Sequence, residues 1–509
     1  MGNIGKILTY IIYALVVNIN RVIVFLTRNT ALHRARFARI HELSGLITNS
    51  PGLETSLLLG LSHLNHTLHV KPTKARRELG NLLVVAPTRG GKGLLATAQL
   101  LTWPHSVIVN DIKGDLFSQT AGFRSSLGEV FVIDPQGYGN RYDPLNSRHT
   151  EDELLSSATH LLFKPDEGDG AIFTQRASVM LTQLFLAARE EGVAPLPYAR
   201  LMIRAGLYKA ANRLNEISPD LATQFLDVEL KEANLSDRFL LSAWGTLSAR
   251  IRPLLTETVV RTLAGTDFDP RHLMQKDKPV TIYLRWPERD LLTLSPLVRL
   301  LWGSLIDELI STYDAFPENC HPVLLLIDEA GRTAIPSLAD HATTVVGRGI
   351  SLWIAVQSLS QLDVVYGRSR SQVLRDNMES KIYYRPSNYE TASYLERALG
   401  RHSEYAHSQT AREGTKLSQG LTEQAVPLMT SQEVSQMRDE DIIGFHRRLP
   451  AFRAKRMDWR RFPTLSQRQR IPPPTLSVLP QIVSSGWSAI PAYIDPDAIG
   501  TDPDEDRSN

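Results

Sequence analysis

Residues 81–101 carry the spacing most suggestive of chemistry. The apolar run Asn81-Leu82-Leu83-Val84-Val85-Ala86 gives way to Pro87-Thr88-Arg89-Gly90-Gly91-Lys92-Gly93, and a helical pattern follows over 94–101. A strand that enters a helix through glycines leaves backbone N–H groups free to hold phosphate oxygens, and a lysine at that point reaches the terminal phosphates. Thr88, Arg89, Gly90, Gly91, Lys92, Gly93 and Leu94 are therefore the candidate phosphate-binding residues. Two positions depart from the usual G-x-x-x-x-G-K-[ST] spacing: Ala86 takes the place of the first glycine and Gly93 that of the hydroxyl residue that binds Mg2+. On this segment alone, the competing reading is a Gly-rich turn with an incidental lysine.

Two further segments carry polar groups at the ends of apolar runs. Val323-Leu324-Leu325-Leu326-Ile327 ends in Asp328-Glu329. At the C-terminal edge of a parallel sheet, Asp328 can hold Mg2+ and Glu329 can polarise an attacking water. Alone, the pair also fits a helix start with acidic first-turn residues. The run 351–356 ends in Gln357, which can sense a terminal phosphate or orient water, or simply cap the strand. Arg348 precedes that run and is either a surface charge or a cation offered to a neighbouring subunit's nucleotide.

These residues need a sheet to position them. Apolar runs at 81–86, 106–110, 129–133, 280–285, 323–327, 351–356 and 381–384 read as strands, most of them continuous enough to be buried on both faces of a parallel sheet. Helical patterns at 172–191, 294–313 and 389–399 alternate with them, the signature of an α/β fold. Residues 195–266 contain helical spacing and no convincing strand, which predicts an all-α insertion between two parts of the sheet domain at 81–194 and 267–462. After residue 462 the chain becomes Pro-rich and ends acidic, which predicts an extended, mobile tail over 463–509.

Composition narrows the classes. The 509 residues include a single cysteine, Cys320, which excludes an intrachain disulfide or a cysteine-based zinc site. A hydrophobic content of 42% excludes a polytopic transporter and a largely disordered chain. The net charge of +2 hides a separation: residues 1–93 hold twelve Lys and Arg against three Glu, and residues 444–470 hold nine against Asp458 alone. Phe445, Phe452, Trp459 and Phe462 interleave with the second run. That pattern suits phosphate contact with base stacking, or equally a solvated strand edge whose aromatics face the core. His63, His66 and His69 have metal-like spacing, but no carboxylate lies within 62–70.

The ordered set of motifs resembles the type IV secretion coupling proteins, the TraG/TraD-type conjugation ATPases related to septal DNA translocases. The likeness runs from about Asn81 to Arg461. It rests on Ala86–Gly93, Asn110-Asp111-Ile112-Lys113-Gly114-Asp115, Tyr142-Asp143-Pro144-Leu145-Asn146, Ile327-Asp328-Glu329, Gly347-Arg348-Gly349-Ile350, Gln357-Ser358-Leu359-Ser360-Gln361-Leu362 and Tyr366-Gly367. The resemblance implies a RecA-like ATPase that binds ATP and Mg2+, with an inserted all-α domain. It also implies a homo-hexameric ring on the cytoplasmic side of the cell inner membrane. Its partners would be type IV secretion channel components, single- or double-stranded DNA, and a relaxase–DNA complex or effector proteins.

Carried over by motif, Lys92 binds phosphate, while Asp328 and Glu329 serve the metal and the water. Gln357 couples nucleotide state to substrate, and Arg348 is the finger acting in trans. Family members usually carry two transmembrane helices. Here residues 1–26 offer one candidate anchor or interfacial helix, interrupted by Lys6 and Arg21, with a basic region over 27–80 leading into the ATPase. A recruitment platform that hydrolyses little or no ATP and a DNA-only translocase are the competing functions.

Overall fold

The computed structural model describes residues 33–49, 51–72, 78–163, 170–333, 335, 338–410 and 418–480. The candidate anchor at 1–26, the basic residues Lys74, Arg76 and Arg77, and the acidic end of the chain lie outside the described residues. Among the described residues, no helix is long and apolar enough to cross a membrane.

The strands are β1 (Ile47–Thr48), β2 (Leu57–Leu61), β3 (Thr67–Val70), β4 (Leu82–Val85), β5 (Ser106–Asp111), β6 (Glu129–Asp134), β7 (Tyr138–Gly139) and β8 (Val280–Arg285). They continue with β9 (Val323–Ile327), β10 (Ile350–Val356), β11 (Ser380–Tyr384), β12 (Arg401–Thr410), β13 (Ser418–Pro427), β14 (Asp441–His446) and β15 (Phe452–Lys455). Thirteen of them form one sheet in the order β1-β3-β2-β15-β14-β11-β4-β10-β9-β5-β8-β6-β7, while β12 and β13 make a separate antiparallel ribbon. The stretch from β11 to β6 is parallel throughout. Its seven strands are the seven expected from the apolar runs.

Their sequences are continuously apolar because both faces are covered, as in other parallel sheets. Alternate residues enter two cores. Leu83, Val85, Ile108, Leu325, Ile327 and Ile354 join the helical side. Leu82, Val84, Val107, Leu324, Leu326 and Trp353 pack against the helices Lys92–Thr102 and Asp115–Leu127 on the other. Between β7 and β8 the described residues contain helices and no strand, from Glu151–Leu162 to His272–Gln275. The helical stretch expected at 195–266 therefore lies inside a longer one, and its apolar faces are continuous with one core of the sheet.

The tail differs from the expectation of a mobile segment over its described part. Pro463–Gln469 is a helix, and Arg468 Nη1 donates to Leu101 O at 2.6 Å while its guanidinium lies over the Phe123 ring. The Pro-rich stretch then crosses Gly122, where a Cβ would stand 2.0 Å from Ile471 O. It reaches β7, where Gly139 N donates to Ser477 O and Leu479 N to Gly137 O. Proline removes donors but not acceptors, so an extended segment can still be pinned through its carbonyls.

His69 is buried, with Ser56 Oγ 3.2 Å from Nδ1 and Thr48 Oγ1 against Nε2. Burial and the Lys71 charge hold its pKa down to about 4. His63 and His66 sit at the β2–β3 turn, and no metal-holding group of side chains occurs among the described residues.

Candidate nucleotide site

The phosphate loop is built by a turn and a helix start. Ala86 N still donates to Val356 O at 2.9 Å, so the loop begins as an extension of the sheet. Gly90 N donates to Pro87 O at 2.9 Å and closes the turn. Gly91 has φ 109° and is the N-cap of Lys92–Thr102, a backbone conformation that glycine adopts without strain. Helix N–H groups therefore point out of the loop unpaired by any capping side chain, which fits an anion. A Cβ at Gly93 would meet nothing within 4 Å, so packing does not enforce the missing hydroxyl there.

Lys92 reaches across to the ends of neighbouring strands. Its Nζ pairs with Glu329 Oε1 and lies 3.4 Å from Asp328 Oδ1. Gln357 Nε2 donates to Glu329 Oε2 at 3.0 Å, and Thr88 Oγ1 donates to Gln357 Oε1 at 3.2 Å. Three segments distant in sequence thus meet at one point of the C-terminal sheet edge. Burial raises the Asp328 pKa, Glu329 adds to that, and the Lys92 charge opposes it. Glu329 is buried and holds φ 59°, an uncommon state for a residue with a Cβ that is maintained only where surroundings over-determine it.

Those surroundings are visible. Asn110 Nδ2 donates to Asp328 O at 2.9 Å and to Thr333 Oγ1 at 3.2 Å, while Trp302 Nε1 donates to Asn110 Oδ1 at 3.3 Å. Ala330 N donates to Ala355 O, and Gln357 N to Gln361 Oε1. Asn110 is fully buried and orients the turn after β9, a role that nothing in its sequence position reveals.

Arg348 is not part of this cluster. It precedes β10, whereas Gln357 follows it, so the two are separated by the strand's length, roughly 20 Å. The Arg348 guanidinium grips Asp314 at 2.7 and 3.0 Å. Arg89 is exposed at the loop tip with φ 64°. Asp111 caps the helix Asp115–Leu127 from before its start, accepting from Phe117 N at 2.7 Å. Burial pushes its pKa up to about 6, against that hydrogen bond and the Arg285 charge. Asp111 and Lys113 make no ion pair; the Lys113 charge acts on Glu288.

The basic run at 444–470 does not form a stacking platform from its strand aromatics. Phe452 is fully buried and Phe445 packs edge-on to Tyr383, because strand alternation sends them to the cores. Several of the charges are spent locally: Arg447 on Glu379, Arg460 on Asp458, and Arg453 over the Phe37 ring.

Comparison with known proteins agrees with this architecture. A conjugal transfer protein TraG of Escherichia coli is 26% identical over 452 residues, covering 78% of this chain and 70% of its own. Protein VirD4 of Rhizobium radiobacter is 26% identical over 405 residues, covering 74% and 56%. The chain thus spans little more than half of the VirD4 relative. Among solved structures, plasmid coupling protein TrwB in complex with ADP and Mg2+ aligns over 79% of this chain and 87% of its own, with a TM-score of 0.55 and 19% identity. That likeness establishes the fold. The family described as type IV secretory system conjugative DNA transfer matches residues 65–477, and the chain belongs to that family.

Proposed function

We propose that this protein is a coupling ATPase that recruits substrate and delivers it to a type IV secretion channel through ATP hydrolysis. The observation that carries the reading is the convergence of Lys92, Asp328, Glu329 and Gln357 beside an uncapped helix N-terminus. The donor set fits a magnesium nucleotide: N–H groups and an ammonium for phosphate oxygens, and carboxylates for a hard cation. Such a nucleotide supplies a transferable phosphoryl group and the metal charge that stabilises its departure.

The chain's own groups supply the rest. Lys92 has two alternative anions: the carboxylates it pairs with here, and phosphate. Transfer of its charge to phosphate frees Glu329 to accept a proton from water. Gln357 spans Glu329 and Thr88, so it links the water-activating carboxylate to the loop. Asp328 is the metal-side carboxylate. Arg348 stands too far away to act on its own subunit's site, which supports a role in trans within a homo-hexamer.

The cargo is relaxase-bound single-stranded DNA or effector proteins, and the place of action is the cytoplasmic side of the inner membrane. The family's link to conjugative DNA transfer supports this assignment. A recruitment platform with little hydrolysis is the second reading, favoured by the absence of a hydroxyl at Gly93. Substrate transfer by Lys92→Ala separates the two. The motor reading expects transfer to fall at least about 100-fold, and transfer at the wild-type level would sink it.

A further inference from the structure

The phosphate loop has two flanks. On one, β10 and β9 bring Gln357, Asp328 and Glu329 to the sheet edge; on the other, β11, β14 and β15 continue the sheet. β15 runs toward the same edge and ends beside the loop, with Arg456 as the next residue. Arg456 N donates to Glu440 O at 2.7 Å, which fixes the backbone there. Its side chain crosses to the loop, where Nη1 is 3.4 Å from Gly90 O. A Cβ on Gly91 would lie 3.3 Å from Arg456 Cδ and 3.6 Å from the Tyr384 ring.

Arg456 differs from two arginines of its run. Arg447 and Arg460 each hold a carboxylate, at 2.7 and 2.8 Å. No carboxylate lies within ion-pair distance of Arg456 among the described residues, although the residue is half-buried and its one guanidinium hydrogen bond is long. Tyr384 beside it is buried, with a hydroxyl that has no hydrogen-bond partner among the described residues. A half-sequestered guanidinium with free donors at the rim of a phosphate loop has an anion as its natural partner. The carboxylates that act on a terminal phosphate occupy the opposite flank, so the inner phosphate and nucleoside extend toward this one.

We propose that Arg456 binds the α-phosphate of the nucleotide and makes the site selective for nucleoside polyphosphates held in that direction. The proposal rests on the nucleotide reading above and adds a contact from the far side of the loop. It also gives the C-terminal strands a direct link to nucleotide occupancy, because β15 pairs on one side with β14 and on the other with β2.

The test uses the full chain and measures Mg·ADP affinity by calorimetry at several salt concentrations. Thermal melting is recorded with and without nucleotide. Arg456→Gln is expected to weaken Mg·ADP binding roughly 10-fold or more, to flatten the dependence of affinity on salt, and to leave the nucleotide-free melting temperature unchanged. Arg456→Lys, which keeps the charge, is expected to recover affinity to within about threefold of wild type. Wild-type affinity with the wild-type salt dependence in Arg456→Gln overturns the proposal. So does an equal loss in both variants accompanied by a lowered nucleotide-free melting temperature, which marks a packing role. Wild-type protein that binds no Mg·ADP overturns the nucleotide reading itself, an outcome distinct from either.

Discussion

The two edges of the parallel sheet handle charge in opposite ways. At the C-terminal edge, Asp111 and Glu329 are drawn out of water and Asp328 partly so, and the three are tied to Lys92, Asn110, Gln357 and backbone N–H groups. At the N-terminal edge, Arg348 and Asp314 form a solvent-facing pair, with Asp314 about half exposed. Buried charge is held in one geometry at a cost in desolvation, whereas an exposed pair exchanges partners cheaply. On the proposed function, the first edge serves chemistry within one subunit. On the same proposal, the second offers the Arg348 cation to a neighbouring subunit.

The largest effect that would break this contrast concerns Arg348. Arg348→Ala is expected to lower steady-state ATP hydrolysis by the assembled protein on the order of 1000-fold, the range of trans arginine fingers. Nucleotide affinity of the isolated subunit should stay at the wild-type value, because Arg348 is remote from its own loop. A matching loss of affinity, read by calorimetry, would place Arg348 in the cis site and erase the distinction between edges.

Gln357→Ala sharpens the account of the C-terminal edge. Its side chain links Glu329 to Thr88. The turnover number should fall about 10- to 100-fold, with Mg·ATP affinity changed less than about threefold. A rise in KM at unchanged kcat would instead assign Gln357 to binding.

Asp111 tests whether the C-terminal edge carries strain from buried charge. Its pKa rises from the ordinary 3.8 to about 6 on folding because burial disfavours the ionised form. Stability from the neutral carboxyl is complete below the unfolded value and is lost as pH rises through about 6. Wild type should therefore lose about 2–3 kcal/mol from this group between pH 4 and 8. Asp111→Asn keeps an acceptor for Phe117 N and removes the titration. Denaturant unfolding should show the variant gaining on wild type at pH 8 and not at pH 4, and a pH-independent difference would refute the burial argument.

Much of the parallel half of the molecule is legible in the sequence. A strand buried on both faces is apolar at nearly every position, so 323–327 and 351–356 announce themselves, and the polar residues that follow mark the chemical edge. The flanking strands are harder to read. Leu57–Leu61 and Thr67–Val70 form a short hairpin whose pairing with β15 depends on residues almost 400 positions away. Arg456 sits in a run with seven other arginines of the same chemistry. Only tertiary packing decides which of them finds a carboxylate and which faces the loop. Asn110 presents the same difficulty: its amide is read as part of a motif, but its brace to Asp328 O exists only once β5 and β9 are paired. The tail misleads for a related reason, since proline-rich composition reports poor intrinsic order and not the surface available to pin it.

The central claim is that Glu329 activates water at a site whose nucleotide is held by other groups. Mg·ATP hydrolysis and Mg·ATP binding by full-length Glu329→Gln test it most directly. Turnover at least about 100-fold below wild type, with nucleotide affinity equal to or tighter than wild type, is the predicted result. Tighter binding follows where loss of the Glu329 charge releases Lys92 for phosphate. Hydrolysis at the wild-type rate would contradict the account.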